Sequence, residues 1–235
     1  MIVALAGGVG GARLAVGLAA VLPPSQLAVV VNTGDDFEHL GLHVSPDLDT
    51  VMYTLAGVNN PQTGWGRADE SWQFMSALKA LGGIDWFNLG DKDLAVHVLR
   101  TQALREGQSL SQATADLARR FGIRHALWPM SDAPVRTRVL TAKGELAFQD
   151  YFVRERCRPR VSGFRFAGAR SAMPAPALQK LMRGGKVRGL VICPSNPFVS
   201  IAPILAIPAM RAWLRARDFP VVAVSPLVLR CRLVG

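Results

Sequence analysis

The sequence predicts an α/β fold, a Rossmann-like parallel sheet with helices on both faces and a small inserted cap, and four stretches carry that expectation. Residues 1–6, MIVALA, are a short continuous apolar run of the kind buried in a parallel sheet. They lead into GGVGGARLAVGLAAVL, a glycine loop turning into an apolar helix, and then QLAVVVNTGDD, a second strand that ends in polar turn residues. The alternation returns late in the chain, where KVRGLVICPSNPFVSIAPILAIPAMRAWLRARDFPVVAVSP reads as strand, polar loop, helix and strand.

The intervening elements follow in order. SPDLDTVMYTLAG reads as a helix that begins at a capping Ser or Asp and closes at Gly57. DESWQFMSALKALGG, DKDLAVHVLRTQALREG and SLSQATADLARRFGI are further amphipathic helices, the last with Ser109 placed to cap it. Around 124–170 the pattern changes: TRVLTAKGELAFQDYFVRERCRPRVSGFRFAG alternates like strands and has a turn at Lys143-Gly144. With no repeats and no low-complexity linker, the expectation is one α/β domain over 1–235 with a β-rich insertion at 124–170.

A chain of 235 residues that is 50% hydrophobic can bury a substantial core and is not a disordered protein. Its formal net charge of +10 suits either nucleic acid or substrates with several phosphates. The charge is localised: ten Lys or Arg and one acid, Glu155, lie between Arg154 and Arg188. Aromatic residues are sparse there and no RNA or DNA motif occurs, so small phosphorylated substrates are expected rather than nucleic acid. Cys157, Cys193 and Cys231 have no CxxC spacing, which gives neither a disulfide framework nor a zinc site and implies a reducing, cytoplasmic setting. The N-terminus lacks a basic leader and is read as part of the fold, and FVSIAPILAIPAM is broken by prolines, so no membrane span is expected.

The acids of this acid-poor chain are crowded. Asp35, Asp36, Asp47 and Asp49 fall within fifteen residues, just past the second strand, which is the ligand-binding edge of an open parallel sheet. Such carboxylates repel unless a cation or hydrogen-bond donors lie between them, so the cluster points to magnesium with substrate phosphates, or else to a solvated loop with a helix cap. The glycine loop, Gly7, Gly8, Gly10 and Gly11, lets backbone N–H groups approach a phosphate, with Arg13 as a charged arm, or is simply a tight strand-to-helix turn. It is not a P-loop and lacks the third glycine of the dinucleotide fingerprint. In LGDKDLAVHVLRT, His97 and Arg100 lie three apart and can share a helix face, and Lys92 stands near its start. In CPSNPFVS, two prolines pin Ser195 and Asn196 for recognition of a phosphate or base edge, or for a plain turn. Trp65, Trp72 and Trp86 either stack on a planar ligand or pack in the core.

Together, AGGVGGAR, VVNTGDDFEHLGLHVSPDLDTVMYTLAG, GWGRADESW, WFNLGDKDLAVHVLRT, SLSQAT, PMSDAPVRTRV, FQDYFV and PSNPFVSIAPILAIPAMR resemble the 2-phospho-L-lactate transferase family of coenzyme F420 biosynthesis, from Met1 to about Pro226. That resemblance implies transfer of a phosphorylated three-carbon acid (phospholactyl, phosphoenolpyruvyl or phosphoglyceryl) from a guanosine-diphosphate-linked donor to the ribityl hydroxyl of the deazaflavin Fo. GMP leaves, magnesium is required, and the expected assembly is a homodimer. By resemblance, Gly7, Gly8, Gly10, Gly11 and Arg13 meet donor phosphates, while Asp35, Asp47 and Asp49 hold magnesium or orient the Fo hydroxyl. Asp49 is placed first against the ribityl chain, Lys92 and His97 help fix the acceptor, Asp36 and Arg100 join the substrate contacts, and Ser195 and Asn196 belong to the nucleotide pocket. A non-enzymatic nucleotide-sugar-binding regulator on the same fold is the rival reading; it would keep the glycine loop and lack PDLDT and LGDKDLAVHVLRT. After VVAVSP the sequence departs from the family pattern and reads LVLRCRLVG, which implies that the C-terminal part of the family fold is missing and part of the pocket is uncovered.

Overall fold

A computed structural model of the protein describes residues 1–226. The opening apolar run forms strand β1 (Ile2–Ala6), followed by helix α1 (Gly8–Val21), strand β2 (Leu27–Val31) and a short hairpin of β3 (Phe37–His39) and β4 (Leu42–Val44). Four helices come next: α2 (Pro46–Leu55), α3 (Gln73–Ala80), α4 (Asp91–Arg105) and α5 (Leu110–Arg120). Strand β5 (Ala126–Pro129) precedes three strands, β6 (Arg136–Thr141), β7 (Gly144–Ala147) and β8 (Val161–Ala167). The chain closes with α6 (Pro176–Arg183), β9 (Gly189–Ile192), α7 (Ala202–Ala206), α8 (Pro208–Arg215) and β10 (Val221–Ala223).

Five strands pair in parallel in the order β10-β9-β1-β2-β5, with Ala6 opposite Val31 and Leu5 opposite Ile192. Period-two alternation divides the core between the two faces. Ala4, Ala6, Val29 and Val31 pack with Ala12, Leu48, Met52, Val96 and Leu117 of α1, α2, α4 and α5. Val3, Leu5 and Val30 pack with Leu178 of α6, Ile204 of α7, Ile207 at the α7–α8 junction and Met210 of α8. Helices therefore cover both faces, as the continuous apolar runs require. Among the described residues no single helix is long and apolar enough to cross a membrane; the apolar stretch Pro197–Arg215 is bent by 86° and buries its isoleucines against the sheet.

β1 is the middle strand, and the chain leaves it towards β2 on one side while β9 joins it on the other. The carboxyl ends of β1 and β9 thus flank the topological switch point, where open α/β sheets bind ligands. Between β5 and β9 in sequence, β7-β6-β8 form a separate antiparallel sheet whose first hairpin turns at Ala142-Lys143, with Gly144 at φ 112°. Ala126–Pro129, within the stretch read as an insertion, is instead the edge strand of the main sheet. The β3–β4 hairpin was not visible as such in the sequence. Its two-residue turn puts Leu40 and Gly41 at φ 53° and 72°, the left-handed pair that matches strand twist.

Helix starts show which sequence signals the fold uses. Ser109 caps α5 through a complete capping box with Gln112. Ser45 stands at the start of α2 but its hydroxyl makes no capping bond; Asp35 accepts the Asp47 N–H at 3.1 Å instead. Glu70 does the same for α4, accepting from the N–H groups of Lys92 and Asp93 at 2.8 Å. The tail LVLRCRLVG, on which the departure from the family pattern rests, lies outside the described residues, as does Cys231.

Candidate active site

Asp35 and Asp47 meet beside the switch point. The fully buried Asn32, one residue past β2, donates from Nδ2 towards Asp47 Oδ2 (2.9 Å) and Asp35 Oδ1 (3.3 Å). The Asp47 carboxylate also takes hydrogen bonds from the Ser200 hydroxyl and the Gly8 N–H at the start of α1. Among the described residues neither aspartate has an ion-pair partner. Burial, then repulsion from Asp47 and Asp36, holds the Asp35 carboxyl well above the usual carboxylate range. Burial likewise pushes Asp47 up to about 6, against the hydrogen bonds from Asn32 and Ser200. Two crowded carboxylates with donors but no counter-charge fit a hard divalent cation that would share them with substrate phosphates.

Asp36, the next residue, is also buried. His43 Nε2 lies 3.0 Å from its Oδ2, and its Oδ1 has no hydrogen-bond partner among the described residues. Asp35 and Asp36 line a cleft of about 440 Å³ together with Phe37, Trp86, Phe148 and three arginines, Arg136, Arg138 and Arg154. Phe37 and Trp86 belong to an aromatic group with His39 and Phe87, and the Arg154 guanidinium lies over the Trp86 ring, 4.4 Å from its centroid. Arg154 ends an irregular turn, Asp150–Arg154, in the small antiparallel unit. The cleft therefore combines flat aromatic surface, cationic side chains and carboxylates, a set suited to a planar ring carrying an anionic chain.

A second polar cluster lies between α2 and α4. Arg100 is fully buried and grips Asp49 with both terminal nitrogens, one at 3.0 Å from Oδ2. His97 sits on the same helix face, its Nδ1 3.6 Å from Asp49 and its Nε2 3.3 Å from Asp93, while Asp93 accepts from the Tyr53 hydroxyl. Burial raises the Asp49 carboxyl against the pull of Arg100 and His97; burial opposes the Asp93 charge too, yet His97 and Tyr53 hold that carboxyl below its ordinary value. Asp49, Asp93 and His97 have the ligand atoms for a metal within 4.8 Å of one another. However, the guanidinium already supplies the cation for Asp49, so the trio competes poorly with Asp35 and Asp47 for a second one.

A Cβ on Gly7 would lie 2.3 Å from Asp47 Oδ2, on Gly10 2.1 Å from the Pro194 carbonyl oxygen, and on Gly11 2.4 Å from Ser195 Oγ. The glycine loop thus admits the chain's own groups, with Asp47 beside Gly7 and Gly8 at the start of α1. Ser195 accepts the Gly7 N–H at 3.0 Å, and Asn196 accepts from Phe198 and Val199 N–H, which caps the following turn. Arg13 is exposed, and the exposed Lys92 donates to the Ala68 carbonyl at 3.1 Å, with no bond to the aspartates among the described residues. Trp65 and Trp72 are exposed, and only Trp86 of the three reaches the cleft. Asn32, Ser200 and the cleft arginines carried no expectation from the sequence; of the three arginines, only Arg154 belongs to the basic run noted there.

Residues 2–230 match the family described as 2-phospho-L-lactate transferase CofD. A phosphoenolpyruvate transferase from Kitasatospora aureofaciens is 46% identical over 233 residues, covering 97% of this chain and 72% of that protein. A 2-phospho-L-lactate transferase from Methanospirillum hungatei is 39% identical over 228 residues, covering 97% and 75%. Among solved structures, a UPF0052 family protein from Bacillus halodurans superposes with a TM-score of 0.66 at 15% identity, covering 94% of this chain and 67% of that one, which shows a shared fold. The chain belongs to the 2-phospho-L-lactate transferase family, the transferases of coenzyme F420 biosynthesis.

Proposed function

We propose that this transferase moves a phosphorylated three-carbon acid from a guanosine-diphosphate-linked donor to the terminal ribityl hydroxyl of the deazaflavin Fo, releasing GMP. The observation that carries the reading is the position of Asp35 and Asp36 in the lining of a cleft that also holds aromatic rings and arginines. The deazaflavin ring is assigned to Phe37 and Trp86, with Arg136, Arg138 and Arg154 drawing in donor phosphates. The naming of the more similar relatives favours a phosphoenolpyruvyl donor.

In this reading Asp35 and Asp47 hold magnesium, which when bound neutralises charge on the donor's diphosphate. The ribityl oxygen forms a bond to the phosphorus that carries the three-carbon acid, and the bridging P–O bond to GMP breaks. Asp36, oriented by His43, accepts the hydroxyl proton at Oδ1, which has no hydrogen-bond partner among the described residues. The Asp49–Arg100 pair fixes α2 against α4 and so holds Asp47 in place. Purified protein incubated with Fo, magnesium and each donor in turn, followed by mass spectrometry, is expected to give one preferred phosphorylated product and GMP. Absence of product with all three donors overturns the reading.

A further inference from the structure

Asp35 and Asp47 belong to different elements: one lies on the loop after β2, the other in the first turn of α2. The side chain that touches both is Asn32. Its Oδ1 accepts the Gly34 N–H at 2.8 Å, which anchors the oxygen in the backbone turn and aims the nitrogen at the carboxylates. That nitrogen faces three acceptors: Asp47 Oδ2 at 2.9 Å, Asp35 Oδ1 at 3.3 Å and the Val199 carbonyl at 3.2 Å. An amide has two N–H hydrogens for these three oxygens, so the carboxylates keep unused accepting capacity.

The residue type matters as much as the geometry. Lysine or arginine here would hold both aspartates but cancel their charge, as Arg100 does at Asp49. Aspartate would add a third anion and donate nothing. A neutral double donor is the side chain that brings two anions together and leaves their charge free. We infer that Asn32 is a positioning residue that yokes Asp35 and Asp47 into a single cation-binding unit without touching the cation. The inference rests on the reading that these two aspartates hold the divalent ion. It also accounts for the burial of Asn32 at the junction of three segments, because Val199 ties the same amide to the turn that carries Ser200.

The test uses Mn²⁺ alone as probe, with free ion followed by electron paramagnetic resonance, on the full chain and three variants whose folding is checked by thermal unfolding. The wild-type chain is expected to bind Mn²⁺ and Asp47→Asn to lose it. Asn32→Ala, which removes the amide, is expected to bind about 10- to 100-fold more weakly, the usual cost of losing a group that orients metal ligands. Should Asn32→Ala not fold, Asn32→Ser keeps an oxygen for the Gly34 turn but is too short to span both carboxylates, and the same loss is expected. A purely structural role would lower the melting temperature and leave the affinity of the folded variant unchanged. Wild-type affinity in a folded Asn32 variant overturns the inference while the cation reading stands. No binding by the wild-type chain, or retained binding in Asp47→Asn, overturns the cation reading itself.

Discussion

At Asp49 the guanidinium of Arg100 meets both carboxylate oxygens inside the fold, so removing either partner strands a buried charge. Arg100→Met is expected to cost about 3–5 kcal/mol of folding stability, measured by urea unfolding, and a loss well under 1 kcal/mol would contradict the pairing. At Asp36 the expected cost falls on chemistry instead. Asp36→Asn keeps an oxygen or nitrogen for His43 and should retain its melting temperature while kcat falls roughly 10²- to 10⁴-fold, the range for a lost general base. The shared face of His97 and Arg100 was legible because helical spacing dictates it. Their partner was not, since periodicity gives a direction and no address across the fold. Asn32 was invisible for a different reason: an asparagine after a strand is an ordinary turn residue until its neighbours in space are known.

The element that the sequence announced most clearly, strand–glycine loop–helix, packs closely against the chain's own groups. Close approach of phosphate and close approach of backbone both demand a missing Cβ, so the glycines alone could not distinguish them. Gly10→Ala would press a methyl group against the Pro194 carbonyl and should destabilise by about 1–3 kcal/mol or more. Gly17, in the middle of α1, has nothing within 4 Å of its would-be Cβ, and Gly17→Ala should stabilise by about 0.5–1 kcal/mol. Paired thermal melts of the two variants check both signs. The capping of α2 by Asp35 and of α4 by Glu70 escaped the sequence, because capping rules look within a few residues and these acids arrive from elsewhere.

Across the whole molecule, the raised pKa values of Asp35 and Asp47 set a pH dependence of stability. A carboxyl with a folded pKa above its unfolded one binds more protons in the native state, so stability falls as pH rises through the interval between the two values. For Asp47 that interval runs from about 4, the unfolded value, to about 6. Asp91, Asp93, Asp116 and Glu145, whose pKa values are lowered, act in the opposite sense: their contribution is present above about 4 and lost on further acidification. The melting temperature of the wild-type chain minus that of Asp47→Asn should therefore decline between about pH 4 and 6 and be restored by magnesium. A flat difference would remove the strained carboxylate pair. The parallel order of the sheet was readable from continuous apolar runs, whereas the cleft depends on where the antiparallel unit folds back, which no local pattern encodes.

The separation of the small antiparallel sheet from the parallel one has a consequence for inheritance and engineering. The carboxylates come from loops at the carboxyl ends of the main sheet, while Arg136, Arg138, Phe148 and Arg154 come from the one continuous segment that forms the antiparallel sheet. A relative could exchange that segment as a cassette and acquire a different taste in ligands, with the charged centre untouched.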